Sequence, residues 1–308
     1  MNKNLFCVLV ALVFAAILLS ACQPVENNYF YPKPPLDGEQ NALDNRVGGV
    51  LTVFVWILLV PAIYFAAKDW RKTGKPIALF LLIGGAISHL AEPFDDLTMG
   101  VFFPIIHDGQ FFWQKIVFSL ATRYQPFWLI FCYTMYFGIL MMCLYFALRK
   151  GASTKTMWLW FLIPVVVDTI LEVVLLNISD HLYYYYGNQP LLLGGFPMHW
   201  AASNTLGIYL SAVVMVIFTP LLNGWKTAFA LVSTPLMYLA ALGLTSAPVI
   251  YVINSTYPTW AVQSAGIMVF AISILAMHGF TKLIATDSPY NIMPLIKKAA
   301  REKGAGKK

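Results

Sequence analysis

The chain has 308 residues, of which 59% are hydrophobic, 15% aromatic and only 11% charged. Soluble domains run about 45–50% apolar and about 25% charged, so an ordinary water-soluble enzyme is excluded, and disordered chains lack this much aromatic and aliphatic content. The formal net charge of +6 does not argue for nucleic acid, because Lys and Arg gather in short loops between apolar runs and near the carboxyl end. The composition predicts a polytopic membrane protein of the all-α class.

At the amino end, Lys3 precedes an apolar stretch from Leu5 to Leu19, followed by Leu19-Ser20-Ala21-Cys22. That order resembles the lipobox of a bacterial lipoprotein signal peptide, with lipidation at Cys22 after cleavage behind Ala21. An uncleaved signal anchor is the alternative. Residues 1–22 are expected to be this signal segment or anchor. Residues 23–46, polar and carrying Pro24, Pro32, Pro34 and Pro35, are expected to form an extended non-cytoplasmic lead-in. Cys7, Cys22, Cys132 and Cys143 form no CxxC pair, so neither a zinc site nor a disulfide framework follows from them.

A hydrocarbon core of about 30 Å needs around 20 apolar residues in a helix. Stretches near 47–67, 76–93, 126–148, 156–178, 198–221, 227–252 and 259–280 meet that need, which predicts a seven-helix membrane domain over 47–283. Short cytoplasmic loops collect Lys and Arg. Lys68, Arg71, Lys72 and Lys75 follow the first stretch, Arg149, Lys150 and Lys155 the third, and Lys226 the fifth. The tail over 284–308 adds Lys297, Lys298, Arg301 and others, and should lie against anionic headgroups. The expected arrangement is multi-pass in a bacterial inner membrane, amino end outside and carboxyl end inside.

Acidic residues and histidines show the opposite bias, toward the outer half of the bundle. His89, Glu92, Asp95 and Asp96 close the second stretch, His107 and Asp108 follow it, and Asp180 and His181 follow the fourth. Asp168 and Glu172 stand alone in the apolar run of the fourth stretch, four apart and so on one helix face. Carboxyl groups deep in a bilayer are costly and normally face the bundle interior, for function or as a hydrogen bond between helices. Two like charges one turn apart in low dielectric do not both ionise comfortably, so one is expected to keep its proton. Pro164, four residues before Asp168, should free the Trp160 carbonyl.

His89 and Glu92 resemble a metal-binding HxxE pair that Glu172 and His199 could complete, but nothing local requires it and no metal is assigned. Between the fourth and fifth stretches, Tyr183-Tyr184-Tyr185-Tyr186 reads either as an interfacial aromatic belt or as part of a lid folded back onto the bundle. In the lid reading, His199 starts the fifth helix near Glu172, and Asn204 points inward a turn later.

Asp168-x3-Glu172, then Tyr184-x-Tyr186-Gly187 with Gln189-Pro190-Leu191, then Phe196-Pro197-x-His199, together resemble the AveC-like spirocyclase family of integral membrane proteins. Glu92-Pro93-Phe94 with Asp96, Phe103-Pro104 and Phe111-Phe112-Trp113 is similar to an earlier block of that family. The resemblance spans residues 80 to 215. It implies dehydration and spiroketal cyclisation of a polyketide without a redox cofactor.

The chemistry of such a step suggests roles. Glu172 is the expected general acid, Asp168 the carboxylate that tunes it and stabilises a cation, and His199 the proton acceptor. Glu92 and Asp96 form the facing wall; Tyr185, Trp200, His89, Asn204 and Trp113 contact an amphipathic small-molecule or lipid substrate. An integral membrane isoprenoid cyclase needs the same groups. A proton-coupled carrier or seven-helix sensor is the alternative of another class; the lack of an inverted repeat stands against the carrier, and the lack of a lysine within 259–280 against the retinal type of sensor.

Overall fold

The structure, a computed structural model, describes residues 42–104, 112–120, 123–179 and 182–305. Cys22, the signal segment, nearly all of the lead-in, His107, Asp108, Asp180 and His181 lie outside the described residues. Among the described residues seven helical spans are long and apolar enough to cross a membrane. The chain is an all-α polytopic bundle.

Helix α1 (Ala42–Thr73) starts ahead of the expected 47, within what the sequence assigns to the lead-in. The Ser179 hydroxyl donates to Asp44 and ties this start to the end of the fourth span. Only 28% of the apolar window of α1 is buried, and Val50, Ile57 and Val60 are exposed, as suits a helix facing lipid on most sides.

The second span joins α2 (Ile77–Ser88) to α3 (Glu92–Met99) through a 3-10 turn at His89–Ala91. That turn places Pro93 in the first turn of α3, where its missing N–H costs no helical bond, so the span continues past it. It stops at Gly100, whose φ of 67° is left-handed and whose missing side chain leaves room for the Tyr186 carbonyl.

The third span runs from α4 (Phe127–Tyr133) through a π-helical stretch at Thr134–Leu140 into α5 (Met141–Arg149). Gly85 of α2 crosses Gly138 of the π stretch so closely that a Cβ on Gly85 would stand 2.3 Å from the Gly138 nitrogen. Small residues permit this backbone approach between membrane helices.

Helix α6 (Thr154–Ile178) is the fourth span, capped where Ser153 Oγ accepts from the Thr156 N–H. Helix α7 (His199–Phe218) is the fifth and the most enclosed, with 78% of its window buried. It packs on α5, α6, α8 (Phe229–Thr245) and α10 (Thr259–Ile284). The expected sixth stretch breaks at Ser246 into α8 and the short α9 (Ala247–Val252), with Pro248 in the first turn of α9. Beyond the last span, α11 (Met293–Ala305) exposes Lys297, Lys298 and Arg301. Buried tyrosine hydroxyls link the spans, Tyr209 to Thr281 at 2.7 Å and Tyr238 to Tyr133 at 2.7 Å.

Short strands close one end of the bundle. β1 (Val101–Phe102) pairs antiparallel with β4 (Tyr184–Tyr185), and β2 (Ile116–Leu120) with β3 (Arg123–Pro126). β5 (Leu192–Leu193) pairs with β6 (Phe196–Pro197) across Gly194-Gly195, both at positive φ as a tight hairpin turn requires. Between β4 and α7 the chain sinks into the bundle. Leu191 is fully buried and its N–H donates to Gln263 Oε1 of α10 at 2.9 Å. Gln189 Nε2 donates to the Met99 carbonyl at 2.7 Å. The sinking backbone is thus hydrogen-bonded by the protein, as its depth demands.

Candidate functional site

A cavity of about 100 Å³ lies beneath this strand-covered end. At roughly 10–15 Å³ per water position, it holds several waters or the reacting part of a ligand. Three carboxylates line it: Glu92 at the start of α3, and Asp168 and Glu172 on one face of α6.

The first ingredient is helix phase. Asp168 and Glu172 share a face because they are four apart, as do Trp200 and Asn204 on α7. On the third span Tyr133, Tyr136 and Phe137 all reach the cavity, from the boundary of α4 and the π stretch. In β4 and the residue before it the side chains alternate, so Tyr183 and Tyr185 turn to the cavity together.

Each carboxylate is met by hydroxyl or amide donors. Glu92 accepts from the Tyr133 hydroxyl and, at 3.4 Å, from that of Tyr238. Glu172 accepts from Tyr183 at 2.6 Å and Tyr185 at 3.3 Å. Asp168 accepts from Asn204 Nδ2 at 3.5 Å and also interacts with the Tyr136 hydroxyl, which bonds Thr205 at 2.9 Å. Burial, and then the neighbouring Glu172, push the phenols of Tyr183 and Tyr185 well above the ordinary tyrosine value, so both remain donors.

Among the described residues that line it there is no Lys, Arg or His. Three carboxylates around one small apolar cavity repel one another when charged. Trp128, Trp200, Phe103 and Phe137 supply aromatic wall. Trp200 Nε1 and Asn204 Oδ1 are buried with no hydrogen-bond partner among the described residues, leaving one donor and one acceptor for a ligand. No group of three or more His, Cys, Asp or Glu that could hold a metal ion occurs among the described residues.

The structure thus brings together Glu92, Asp168, Glu172, Tyr185, Trp200 and Asn204 of the residues proposed from sequence. Four others sit elsewhere. His199 is fully buried but one position from Trp200, about 100° around the helix, and so faces away from the cavity. It shares its face with Ser203, whose hydroxyl meets those of Thr245 at 3.0 Å and Ser246 at 3.2 Å. The expected proton acceptor therefore does not reach the carboxylates. Asp96 lies one turn beyond Glu92 and accepts from Gln125 Nε2 at 2.7 Å, beyond the cavity wall. His89 stands edge-on behind Tyr133, ring centroids 6.2 Å apart. Trp113 packs on Gly48 and Gly49 of α1.

Tyr133, Tyr136 and Tyr238 were not singled out by sequence, and Tyr183 only as part of an aromatic run, yet these four are the principal partners of the acids. A signal existed, since a tyrosine inside an apolar span needs a partner for its hydroxyl. No family model matches the chain, and neither a curated protein nor a solved structure matches it.

Proposed function

We propose that the protein is a membrane-embedded cyclase or dehydratase that works by acid–base chemistry on an amphipathic polyketide-like or lipid substrate, in the manner of the AveC-like spirocyclases. The observation that carries this reading is the set of three carboxylates around one aromatic cavity, each met by neutral donors among the described residues.

Dehydrative spirocyclisation of a dihydroxyketone, once one of its hydroxyls has added to the carbonyl to give a hemiketal, needs a proton for the departing hemiketal hydroxyl, stabilisation of the resulting oxocarbenium ion, and an acceptor for the proton of the second, attacking hydroxyl. Glu172 gives the first proton and water leaves. Asp168, one turn away, stabilises the cation together with the faces of Trp128, Trp200 and Tyr185. His199 being turned away, Glu92 on the facing helix takes the proton released as the new C–O bond forms. Waters in the cavity return that proton to Glu172, which closes the cycle with one water lost. Exclusion of bulk solvent protects the cation and replaces some of the entropy in the barrier by folding the substrate.

The aromatic wall equally favours an isoprenoid cation, so an isoprenoid cyclase is the second reading. The gathering of Lys and Arg in the loops at the other end supports an orientation with the cavity end on the non-cytoplasmic side of a bacterial inner membrane, substrate entering from the outer leaflet. Comparative metabolite analysis of a deletion strain complemented with wild-type protein or Glu172→Gln tests the proposal. The wild type should restore a product, and Glu172→Gln should accumulate a precursor heavier by one water while inserting normally. Equal product from both would remove Glu172 from the mechanism.

A further inference from the structure

At the opposite end of the bundle, a second cavity of about 240 Å³ opens where the second, third and fifth spans meet the loops. Lys75, Arg149, Tyr145, Thr73 and Thr219 line it, and no carboxylate among the described residues does. Asp69, buried behind Arg149, takes the other side of its guanidinium: Arg149 Nη1 donates to Asp69 Oδ2 at 2.9 Å, and Nη2 donates to Oδ1. The guanidinium carbon also stands 5.1 Å from the Tyr145 ring and 5.3 Å from that of Phe146. These contacts fix the plane of Arg149 and use only part of its five N–H donors.

Lys75 is held as firmly. Its Nζ donates to the Thr219 carbonyl at 2.9 Å, and its backbone N–H donates to Thr73 Oγ1 at 3.2 Å. An ammonium has three donors, so two remain without a partner among the described residues. Partial burial lowers the Lys75 pKa from the usual lysine value. Asp69 offsets one of the two cations and the other is left over. A preformed cavity at the end of three spans thus offers spare N–H groups from a fixed Arg and a fixed Lys, with hydroxyls beside them.

We infer that this cavity binds a phosphate group, with Lys75 and the free edge of Arg149 donating to its oxygens. A tetrahedral anion with several acceptor oxygens accepts from a point-like ammonium and a planar guanidinium edge at once. Two sources present that chemistry here, the headgroup of a membrane phospholipid and a free phosphate.

The test uses the full chain in a phosphate-free detergent, with binding read from thermal stabilisation against ligand concentration. Separate arms contain phosphatidylglycerol, diacylglycerol with the same acyl chains, inorganic phosphate, and chloride at matched ionic strength. Saturable stabilisation by phosphatidylglycerol but not diacylglycerol identifies a lipid headgroup, and saturable stabilisation by inorganic phosphate over chloride identifies a free phosphate. In the responding arm, Lys75→Gln should weaken binding about tenfold or more, as loss of a charged hydrogen bond does. Lys75→Arg should retain it, and Lys72→Gln, in the last turn of α1 but outside the cavity, should match wild type. No saturable response in either phosphate arm, or equal binding by Lys75→Gln and Lys72→Gln, overturns the assignment.

Discussion

Replacing Gly85 by alanine places a methyl group in the crossing that sets the spacing of the second and third spans. Its Cβ would lie 2.3 Å from the Gly138 nitrogen, 2.4 Å from the Gly138 Cα and 2.7 Å from the Phe137 carbonyl carbon. All three are backbone atoms, so no side chain can rotate away, and the helices must part by about 1 Å to restore ordinary contact. Overpacking of this kind costs about 1–3 kcal/mol, and a rigid obstacle puts Gly85→Ala near the upper end. The second span carries Glu92 and the third carries Tyr133 and Tyr136, so the same parting misplaces the cavity walls; misplacement of about 1 Å can cost on the order of a hundredfold in rate. Gly243→Ala in α8 is the matched control, because nothing lies within 4 Å of its added Cβ and alanine favours a helix by about 0.5–1 kcal/mol. Thermal unfolding of the purified protein should show Gly85→Ala well below wild type and Gly243→Ala at or above it. Equal stability of the two variants would refute the close crossing and the cavity geometry built on it.

Tyr183→Phe should lower turnover about tenfold and more than Tyr185→Phe, because the hydroxyl of Tyr183 is 2.6 Å from Glu172 and that of Tyr185 is 3.3 Å away; equal effects measured on product formation would contradict this. Asp287, which accepts from the Thr154 N–H and hydroxyl at 2.8 Å, has its carboxyl held below the usual 3.8 by those two bonds. A depressed carboxyl contributes stability above its unfolded value that is lost as pH falls through the folded one, so the stability difference between wild type and Asp287→Asn should shrink below about pH 4 and persist above it. Incorporation of labelled fatty acid should depend on Cys22 and vanish in Cys22→Ser, whereas persistence of label would place acylation elsewhere.

The spans were legible because bilayer thickness acts on every one of them, so apolar length and loop charge mark each helix independently of its partners. Asp168 and Glu172 were legible for a related reason, being the only carboxylates in an otherwise apolar run. His199 was misplaced because α7 is buried nearly all round, so no polar face in its sequence shows which side meets α6. One residue of rotation exchanges His199 for Trp200. Asp96 was grouped with Glu92 from nearness on the helix and Trp113 through the block that resembles the spirocyclases, whereas Asp96 turns to Gln125 and Trp113 to α1. The tyrosines of the third and sixth spans escaped notice because hydropathy treats them as ordinary membrane residues, while their hydroxyls decide where the carboxylates point.

Cross-linking tests the central claim most directly. With the native cysteines replaced by serine, Glu92→Cys combined with Glu172→Cys places thiols on two different spans of the same cavity. A short bis-maleimide should join them in membranes, read as one linker bridging both peptides after digestion. Glu92→Cys paired with Ile170→Cys, on the exposed side of α6, should remain unlinked. Failure of the first pair, or equal linking of both, would contradict the convergence of the acidic residues on one chamber.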